Sequence, residues 1–177
     1  MFMHVNLPNE TLMYNHTIVK SMGKDVAWTI LKKSVVSSDG WVGINRIFDQ
    51  RISKWGYGDR LSPRVGLLDN SVSTLYGDEV ECIFYSPMIT MDGASIDEIE
   101  IKTISGFTPY KATMSASLSY DGQNYGKEWF QLYGDKNQRA NRFIIRRMGY
   151  VRDYVGFKFR AVTPSRIAIG ALELTYG

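Results

Sequence analysis

The segment Lys111-Ala-Thr-Met-Ser-Ala-Ser-Leu-Ser-Tyr120, which runs directly into Asp121-Gly122, decides the fold class of this chain. Its side chains alternate strictly, with alanine, methionine, leucine and tyrosine at even positions and lysine, threonine or serine at odd positions. A period of two places these two sets on opposite faces of a pleated strand. Asp-Gly is a strong hairpin signal because glycine tolerates a positive φ. The segment therefore predicts a β-strand that ends in a tight turn.

Alternating segments of the same kind fill the C-terminal half of the chain. We predict strands at Glu79–Tyr85, Asp97–Thr103, Val155–Ala161 and Ile167–Tyr176. The last of these is apolar on both faces at its start, so we expect it in the centre of a sheet. About six such strands over roughly 100 residues are typical of an antiparallel sandwich. Residues 76–177 are therefore predicted to form an antiparallel β-sandwich-like module.

Residues 1–75 contain shorter and more irregular strands that are rich in tryptophan. After a predicted turn at Ser38–Gly40, the segment Gly40–Phe48 predicts a strand, and Trp55–Asp59 predicts the strand that returns beside it. A hairpin with an aromatic residue at each strand end resembles a β-propeller blade. A region that contains little more than one propeller blade cannot bury the faces of its own sheet, so it needs neighbours to pack against. Because helical periodicity is almost absent, the whole chain is expected to be all-β.

The composition is that of a globular protein with little net charge. Of 177 residues, 44% are hydrophobic and 22% are charged, and the net charge is +3. These values are ordinary for a folded domain and exclude a disordered chain. A charge of +3 is too small to indicate nucleic-acid binding by itself. No apolar stretch approaches the ~20 residues of a membrane span, and the N-terminus lacks the features of a signal peptide. We therefore expect no membrane insertion and a cytosolic origin.

Motifs for catalysis, cofactors or metals are missing from the sequence. It has no P-loop, no dinucleotide-binding glycine motif, no nucleophile elbow and no zinc-binding histidine pair. The two histidines, His4 and His16, both lie near the N-terminus, which leaves little basis for acid–base catalysis. The single Cys82 excludes an intramolecular disulfide and is expected to be a small buried hydrophobe. We therefore predict no enzyme activity, no catalytic residue, no cofactor and no metal.

Two acidic features allow more than one interpretation. Glu98 and Glu100 share one face of a predicted strand, about 7 Å apart by strand geometry. That distance lies between those of retaining and inverting glycosidases, but a solvated strand face is the simpler interpretation. The segment Ser119–Tyr125 resembles the Asp-box hairpin of propellers and sialidases, although its glycine follows the aspartate directly. A structural turn accounts for this segment without a ligand.

A dense set of basic residues, which we call the basic stripe, lies between positions 139 and 166. Its members are Arg139, Arg142, Arg146, Arg147, Arg152, Lys158, Arg160 and Arg166. The only acid within this range is Asp153. Guanidinium groups bind carboxylates and phosphates alike, so the stripe has three possible partners: DNA, an acidic protein surface, or the acidic strand of Glu98 and Glu100. Arg146 and Arg147 are adjacent, so we expect them on opposite faces of a strand.

Several segments together carry a resemblance to a known family. They are Leu7-Pro-Asn-Glu-Thr-Leu-Met-Tyr14, Gly58-Asp-Arg60, Tyr76-Gly77, Ile96-Asp-Glu-Ile-Glu-Ile101, Ser117-Leu-Ser-Tyr-Asp-Gly122, Arg146-Arg-Met-Gly-Tyr-Val-Arg152 and Gly156-Phe-Lys-Phe-Arg160. In these segments the chain resembles the C-terminal part of the packaged-DNA stabilisation proteins of short-tailed bacteriophages, which are the tail hub or nozzle proteins. The match extends over most of the chain and is most specific from Ile96 onward.

The resemblance implies a structural protein of the virion tail, made in the bacterial host cytoplasm. Family members are more than twice this length, so it implies a fragment of a mostly β protein with a propeller-like body. It also implies a homo-oligomeric ring that lies beneath the portal and adaptor and closes the DNA channel. Tailspike and needle proteins are the other implied partners, with non-specific contact to packaged DNA as a further possibility. No catalytic residue or cofactor is implied.

Two other functions are compatible with the residues. The Asp-box-like turn and the tryptophans suggest a carbohydrate-binding or sialidase-like β module. The carboxylates of Glu98 and Glu100 suggest a glycoside hydrolase, which requires that both line a pocket.

Overall fold

A computed structural model describes residues 2–24, 27–34, 37, 40–103, 108, 111–138 and 141–177. Within these ranges the chain forms sixteen strands and one short helix, which confirms the all-β prediction. Two positions of the turn predicted at Ser38–Gly40 lie outside the described residues, as does Arg139 of the basic stripe. The chain divides into two compact units. Unit 1 comprises Met1–Asp69 with Leu75–Gly77, and unit 2 comprises Asn70–Thr74 with Asp78–Gly177.

Unit 1 consists of two three-stranded antiparallel sheets, each a simple meander. The first contains β1 (Phe2–Asn6), β2 (Thr11–Asn15) and β3 (Trp28–Leu31). The second contains β4 (Gly43–Asp49), β5 (Lys54–Asp59) and β6 (Val65–Leu67). Helix α1 (His16–Met22) follows β2, and the side chain of Asn15 caps it by accepting a hydrogen bond from the Thr17 amide.

A buried carboxylate fixes the turn that joins β5 to β6. Asp59 accepts hydrogen bonds from the Leu61 amide at 2.9 Å, the Ser62 hydroxyl at 2.5 Å and Arg64 Nε at 3.0 Å. The bond from Ser62, then that from Leu61, lowers the pKa of Asp59 below its ordinary value. A carboxylate held in this way stays ionised, and it satisfies donors that would otherwise be unpaired in the turn.

Unit 1 buries very little apolar surface. Among the described residues of this unit, the buried hydrophobic side chains are Ala27 and Leu75 alone. Large apolar residues are instead exposed; Val65, for example, is 82% exposed. The others exposed in this way are Met3, Leu7, Trp28, Ile30, Ile47, Phe48, Ile52, Trp55, Leu61, Leu67 and Leu68. Sheets with so little core are not stable as isolated units, since burial of apolar surface is the main favourable term in folding.

Unit 2 is a two-layer antiparallel sandwich. One sheet contains β9 (Glu81–Tyr85), β10 (Ile89–Thr90), β12 (Ala112–Ser119), β13 (Trp129–Gly134) and β15 (Tyr154–Val162). Its order is β10-β15-β12-β13, and β9 also pairs with β15. The other sheet has the order β14 (Phe143–Val151), β11 (Ala94–Thr103) and β16 (Ile169–Tyr176). The short strands β7 (Thr74–Leu75) and β8 (Asp78–Glu79) precede them in the chain, and Leu75 of β7 is assigned to unit 1.

The apolar faces of the two sheets meet in one core. Phe157 and Phe159 of β15 and Phe143 of β14 are completely buried there, beside Ile99 and Ile101 of β11. Burying each phenylalanine contributes about 1.5–3 kcal/mol relative to leaving it in water. This core confirms the predicted sandwich, and it leaves one polar face of each sheet on the outside of the unit.

Two details of the prediction are wrong. The last strand, β16, lies at an edge of its sheet, because the buried β11 occupies the centre. The segment predicted as a strand over Glu79–Tyr85 is interrupted at Val80, which lies between β8 and β9. The turn predicted at Asp121-Gly122 is present, and it lies within a connection of nine residues between β12 and β13.

Candidate functional site

The outer face of the β14-β11-β16 sheet carries a cluster of six charged side chains, which we call the Glu100 cluster. Its members are Glu98, Glu100, Lys102, Arg142, Arg146 and Glu173. β11 brings them together, because its residues 98, 100 and 102 alternate with the buried Ile99 and Ile101. The register places Glu98 opposite Arg146 on one side and Glu100 opposite Glu173 on the other.

Glu100 is the centre of this cluster. Arg142 donates to both of its carboxylate oxygens, with Nε at 2.7 Å from Oε1, and Lys102 Nζ lies 2.9 Å from Oε2. Lys102 also lies 3.2 Å from the Glu173 carboxylate, so it bridges two glutamates that would otherwise repel each other across the strands. The hydrogen bond from Arg142, followed by that from Lys102, lowers the pKa of Glu100 from 4.5 to about 2.

The structure corrects the expectation that Glu98 and Glu100 form a solvated strand face. Glu100 is only 6% exposed, because the side chains of Arg142 and Lys102 cover it. Glu98 is partly exposed and accepts a hydrogen bond from Arg146 Nε at 2.7 Å. A carboxyl group with a pKa of about 2 cannot donate a proton near neutral pH, so Glu100 cannot serve as the acid of a glycosidase.

The outer face of the other sheet carries a second charged group, the Glu128 cluster, made of Glu81, Ser115, Glu128, Lys158 and Arg160. Arg160 Nε donates to Glu81, and Arg160 NH1 lies 3.7 Å from Glu128. Lys158 Nζ lies 3.2 Å from Glu128, and the Ser115 hydroxyl donates to the same carboxylate at 3.2 Å. The long charged side chains thereby cover the serine face of β12, which explains why Ser115 is buried.

The basic stripe is therefore divided between two surfaces. Arg142 and Arg146 belong to the outer face of one sheet, and Lys158 and Arg160 belong to the outer face of the other. Each of these four cations pairs with a glutamate: Arg142 and Arg146 with two residues of β11, Arg160 with Glu81 of β9, and Lys158 with Glu128, which directly precedes β13. For Arg142 and Arg146 the partner is the acidic strand of Glu98 and Glu100, which is one of the three alternatives that the sequence left open. Glu81 and Glu128 were not predicted as partners, because they lie far from positions 139–166 in the sequence.

The other described members of the stripe are more exposed to solvent. Arg147 and Arg166 are exposed, and Arg152 lies 3.8 Å from Asp153 at the exposed β14–β15 hairpin. Arg147 has a φ of 57°, and it opposes Asp97 together with Met148 in a β-bulge. The expectation that Arg146 and Arg147 alternate across the strand is wrong, since the bulge interrupts the period of two and leaves both exposed.

The Asp121 loop is a self-contained turn. Asp121 Oδ1 accepts hydrogen bonds from the Ser119 hydroxyl and from the amides of Gln123 and Asn124, and Oδ2 accepts one from Asn124 Nδ2. These hydrogen bonds, of which those from Asn124 have the largest effect, hold the pKa of Asp121 well below its ordinary value. Gly122 supplies a positive φ of 76°. Both oxygens of the Asp121 carboxylate therefore accept hydrogen bonds from within the loop.

Metal and nucleophile chemistry have little support in the part of the chain that the structure describes. Within it, no group of three or more histidine, cysteine, aspartate or glutamate side chains could hold a metal ion. Cys82 is half-buried rather than fully buried, with its sulfur 3.6 Å from the Ser73 hydroxyl. Among the same residues, no helix has the length and apolar character needed to cross a bilayer.

Comparison with known proteins gives consistent matches for both parts of the chain. Residues 81–177 match the family model described as "Bacteriophage P22 Gp10, beta-sandwich". Residues 1–73 match the model described as "Bacteriophage P22 Gp10, beta-propeller". The chain is also 24% identical over 170 residues to the "Tail hub protein gp10" of Salmonella phage P22. That alignment covers 96% of this chain and 35% of the relative, so the chain spans about a third of the relative's length.

Proposed function

This chain belongs to the family of bacteriophage P22 Gp10 proteins, and from this premise we propose that it is a structural, non-enzymatic part of a phage tail hub. The observation that carries the proposal, beside the family, is the exposed apolar surface of unit 1. Soluble monomers rarely expose apolar patches of more than a few hundred Å², and larger ones mark interaction surfaces. A hub that packs these sheets against further β-structure gives that surface a partner.

Assembly into a ring of copies is the second element of the proposal. The outer edge of β16 has no paired strand among the described residues, so it presents free backbone donors and acceptors. Strands with open edges associate readily, and a closed ring buries such edges in repeated, equivalent contacts. We also propose that the chain divides into a propeller-like region over residues 1–75 and a sandwich over residues 76–177. In the hub, these two regions would contact different neighbours.

The exposed members of the basic stripe are proposed to bind other virion components. Arg142, Arg146, Lys158 and Arg160 already pair with glutamates of their own chain. Arg147 and Arg166 remain accessible for an acidic surface of a portal, adaptor, tailspike or needle protein, or for packaged DNA. Closing the portal channel and retaining the genome would follow from such contacts.

Charge reversal in an infectious particle tests this role. We expect Arg147→Glu with Arg166→Glu to give particles that either lose their packaged genome or lack complete tails, depending on the partner. Lys136→Glu, which changes an exposed cation outside the stripe, is the matched control. The measurement is DNA content per particle together with negative-stain imaging of tails. Particles indistinguishable from the control would remove both arginines from the proposed contact surface.

The proposal of a structural role is tested separately by the composition of the particle. Mass spectrometry of purified virions should detect peptides from both units of this chain in the tail fraction. Their absence from particles that are fully infectious would contradict a role in the tail hub.

A glycosidase function is not supported. Its two candidate carboxylates are held in ion pairs on an outer sheet face, and Glu100 is ionised down to about pH 2.

A further inference from the structure

Three tyrosines converge at one end of the sandwich, where β12 ends and the β14–β15 hairpin turns. Tyr120, Tyr150 and Tyr154 are each more than half exposed, and with Arg152 and Asp153 they line an open hollow of about 420 Å³. We call it the tyrosine hollow. Its volume falls within the range of about 300–1,000 Å³ that is usual for small-molecule sites. Binding residues are often placed in this way, on loops held by a rigid sheet scaffold.

The three rings have no aromatic partners within the described chain. Elsewhere in the sandwich, Tyr85 packs on Tyr125 with ring centroids 5.3 Å apart, and Phe84 stacks on Phe159 at 4.6 Å. Tyr120, Tyr150 and Tyr154 make no comparable ring contact. Their apolar faces therefore remain available to a ligand, and their hydroxyls can form hydrogen bonds at its rim.

The backbone beneath the hollow is fixed by buried residues and sheet pairing. Val151 and Val155, which flank the hairpin, are completely buried, and the Met91 amide donates to the Asp153 carbonyl at 2.9 Å. Gly93 has a φ of 81°, and a Cβ there would lie 2.9 Å from the Tyr150 hydroxyl, so glycine leaves space for that ring. A site that is ordered before binding loses little conformational entropy when a ligand enters.

The polar groups of the hollow select for an uncharged ligand. Arg152 and Asp153 contribute one positive and one negative charge, so their sum is zero. They are strongly exposed and only loosely paired, with Nε and Oδ2 3.8 Å apart, so both can form hydrogen bonds to a ligand. A phosphate or an acidic peptide would gain from the arginine but would be repelled by the aspartate. A polyhydroxylated ligand suits both groups, because hydroxyls donate to carboxylates and accept from guanidinium groups.

We propose that the tyrosine hollow binds a neutral hexopyranose unit of a glycan. The C–H face of a pyranose ring packs on a tyrosine ring, while its equatorial hydroxyls reach Arg152, Asp153 and the tyrosine hydroxyls. The hollow has room for one or two such rings. This site does not depend on the tail-hub role, so either can fail while the other stands.

A glycan array probed with the whole chain, followed by titration calorimetry with the best neutral oligosaccharide, tests the site. We expect millimolar or tighter binding to glycans with uncharged hexoses. Tyr150→Ala and Tyr120→Ala should each weaken binding by about five-fold, since the loss of one stacking ring is worth about 1 kcal/mol. Asp153→Asn should weaken it by less. Tyr176→Ala is the matched control, because Tyr176 and Tyr120 are both 58% exposed and Tyr176 lies outside the hollow.

Three results would overturn the proposal. The first is an array with no neutral glycan above background. The second is binding that Tyr120→Ala and Tyr150→Ala leave unchanged. The third is binding restricted to sulfated or sialylated glycans, which would indicate an anion site at Arg152 instead. Because Tyr120 lies in a loop after β12, its variant tests the hollow even if Tyr150→Ala perturbs β14.

Discussion

At the scale of single residues, Glu100 determines the electrostatics of the β14-β11-β16 face. It binds Lys102 of its own strand and Arg142, which directly precedes β14, and both contacts require its charge. We predict that Glu100→Gln lowers the melting temperature more than Glu98→Gln does, because Glu98 is more exposed and its salt bridge is to the largely exposed Arg146. Thermal unfolding followed by circular dichroism measures both. An equal, small effect of the two variants would mean that the cluster contributes little to stability.

The lowered pKa of Glu100 predicts that the stability of the chain depends on pH. The pKa of Glu100 falls from 4.5 to about 2 on folding, so its stabilising contribution is complete above pH 4.5 and is lost as the pH falls towards 2. Glu100→Gln removes this titration, so we expect the stability of the variant to fall less steeply than that of the parent chain over this window. Urea unfolding at a series of pH values gives the two slopes. Parallel slopes would contradict the lowered pKa.

At the scale of elements, the bulge in β14 depends on two residues with positive φ. Gly149 has a φ of 111°, and Arg147 has a φ of 57°. We predict that Gly149→Ala lowers the free energy of unfolding by about 1–2 kcal/mol, because a Cβ disfavours this conformation. The control is Gly126→Ala, where the nearest atom to the new Cβ is 3.8 Å away and φ is not positive. If both variants have the same stability, the bulge does not require glycine.

The core strands provide a second prediction at this scale. Phe159→Ala in β15 should destabilise the sandwich by about 3–5 kcal/mol, because it leaves a cavity between the two sheets. Phe130→Ala in β13 is the matched control, since that ring is largely exposed and its loss should change stability by less than about 0.5 kcal/mol. Chemical denaturation of both variants measures the difference. Comparable losses would place Phe159 outside the core.

The sequence predicted those strands whose two faces differ in polarity. β12 and β15 alternate apolar and polar residues, and their period of two directly identifies the face that enters the core between the sheets. β16 was placed wrongly in the centre of its sheet, because its apolar start does not show which neighbouring strand covers it. Strand order depends on pairing between distant segments, which the local periodicity of a sequence does not reveal.

The charged residues show a similar limit. The basic residues between positions 139 and 166 were evident as a group, but their partners Glu81, Glu98, Glu100 and Glu128 come from distant positions. Pairing with the acidic strand of Glu98 and Glu100 was one of three alternatives that the sequence left open. Nothing in the sequence indicated Glu81 or Glu128, which the pairing of β9 and β12 with β15 brings close to Arg160 and Lys158. The tyrosine hollow was also not predicted, since β13 and its flanking loops separate Tyr120 from the strand β14 that carries Tyr150.

At the scale of the whole molecule, the two units differ in how much core they contain. The sandwich has one continuous core, whereas the described part of unit 1 has almost none. We predict that residues 70–177 fold alone, with dispersed amide resonances and a cooperative thermal transition. Residues 1–69 alone should bind a hydrophobic dye and aggregate, since their exposed apolar residues lack cover. A dispersed spectrum from residues 1–69 would contradict the need for further β-structure around them.

The central claim is that this chain is a structural component of a phage tail hub, and cryo-electron microscopy of the virion that contains it tests this most directly. We predict tail density into which both units fit, with the apolar faces of unit 1 covered by other β-sheets. The Glu100 cluster should remain paired within the chain, as it is in the structure. Absence of both units from the tail, or apolar faces of unit 1 left open to solvent in the assembled particle, would contradict this assignment.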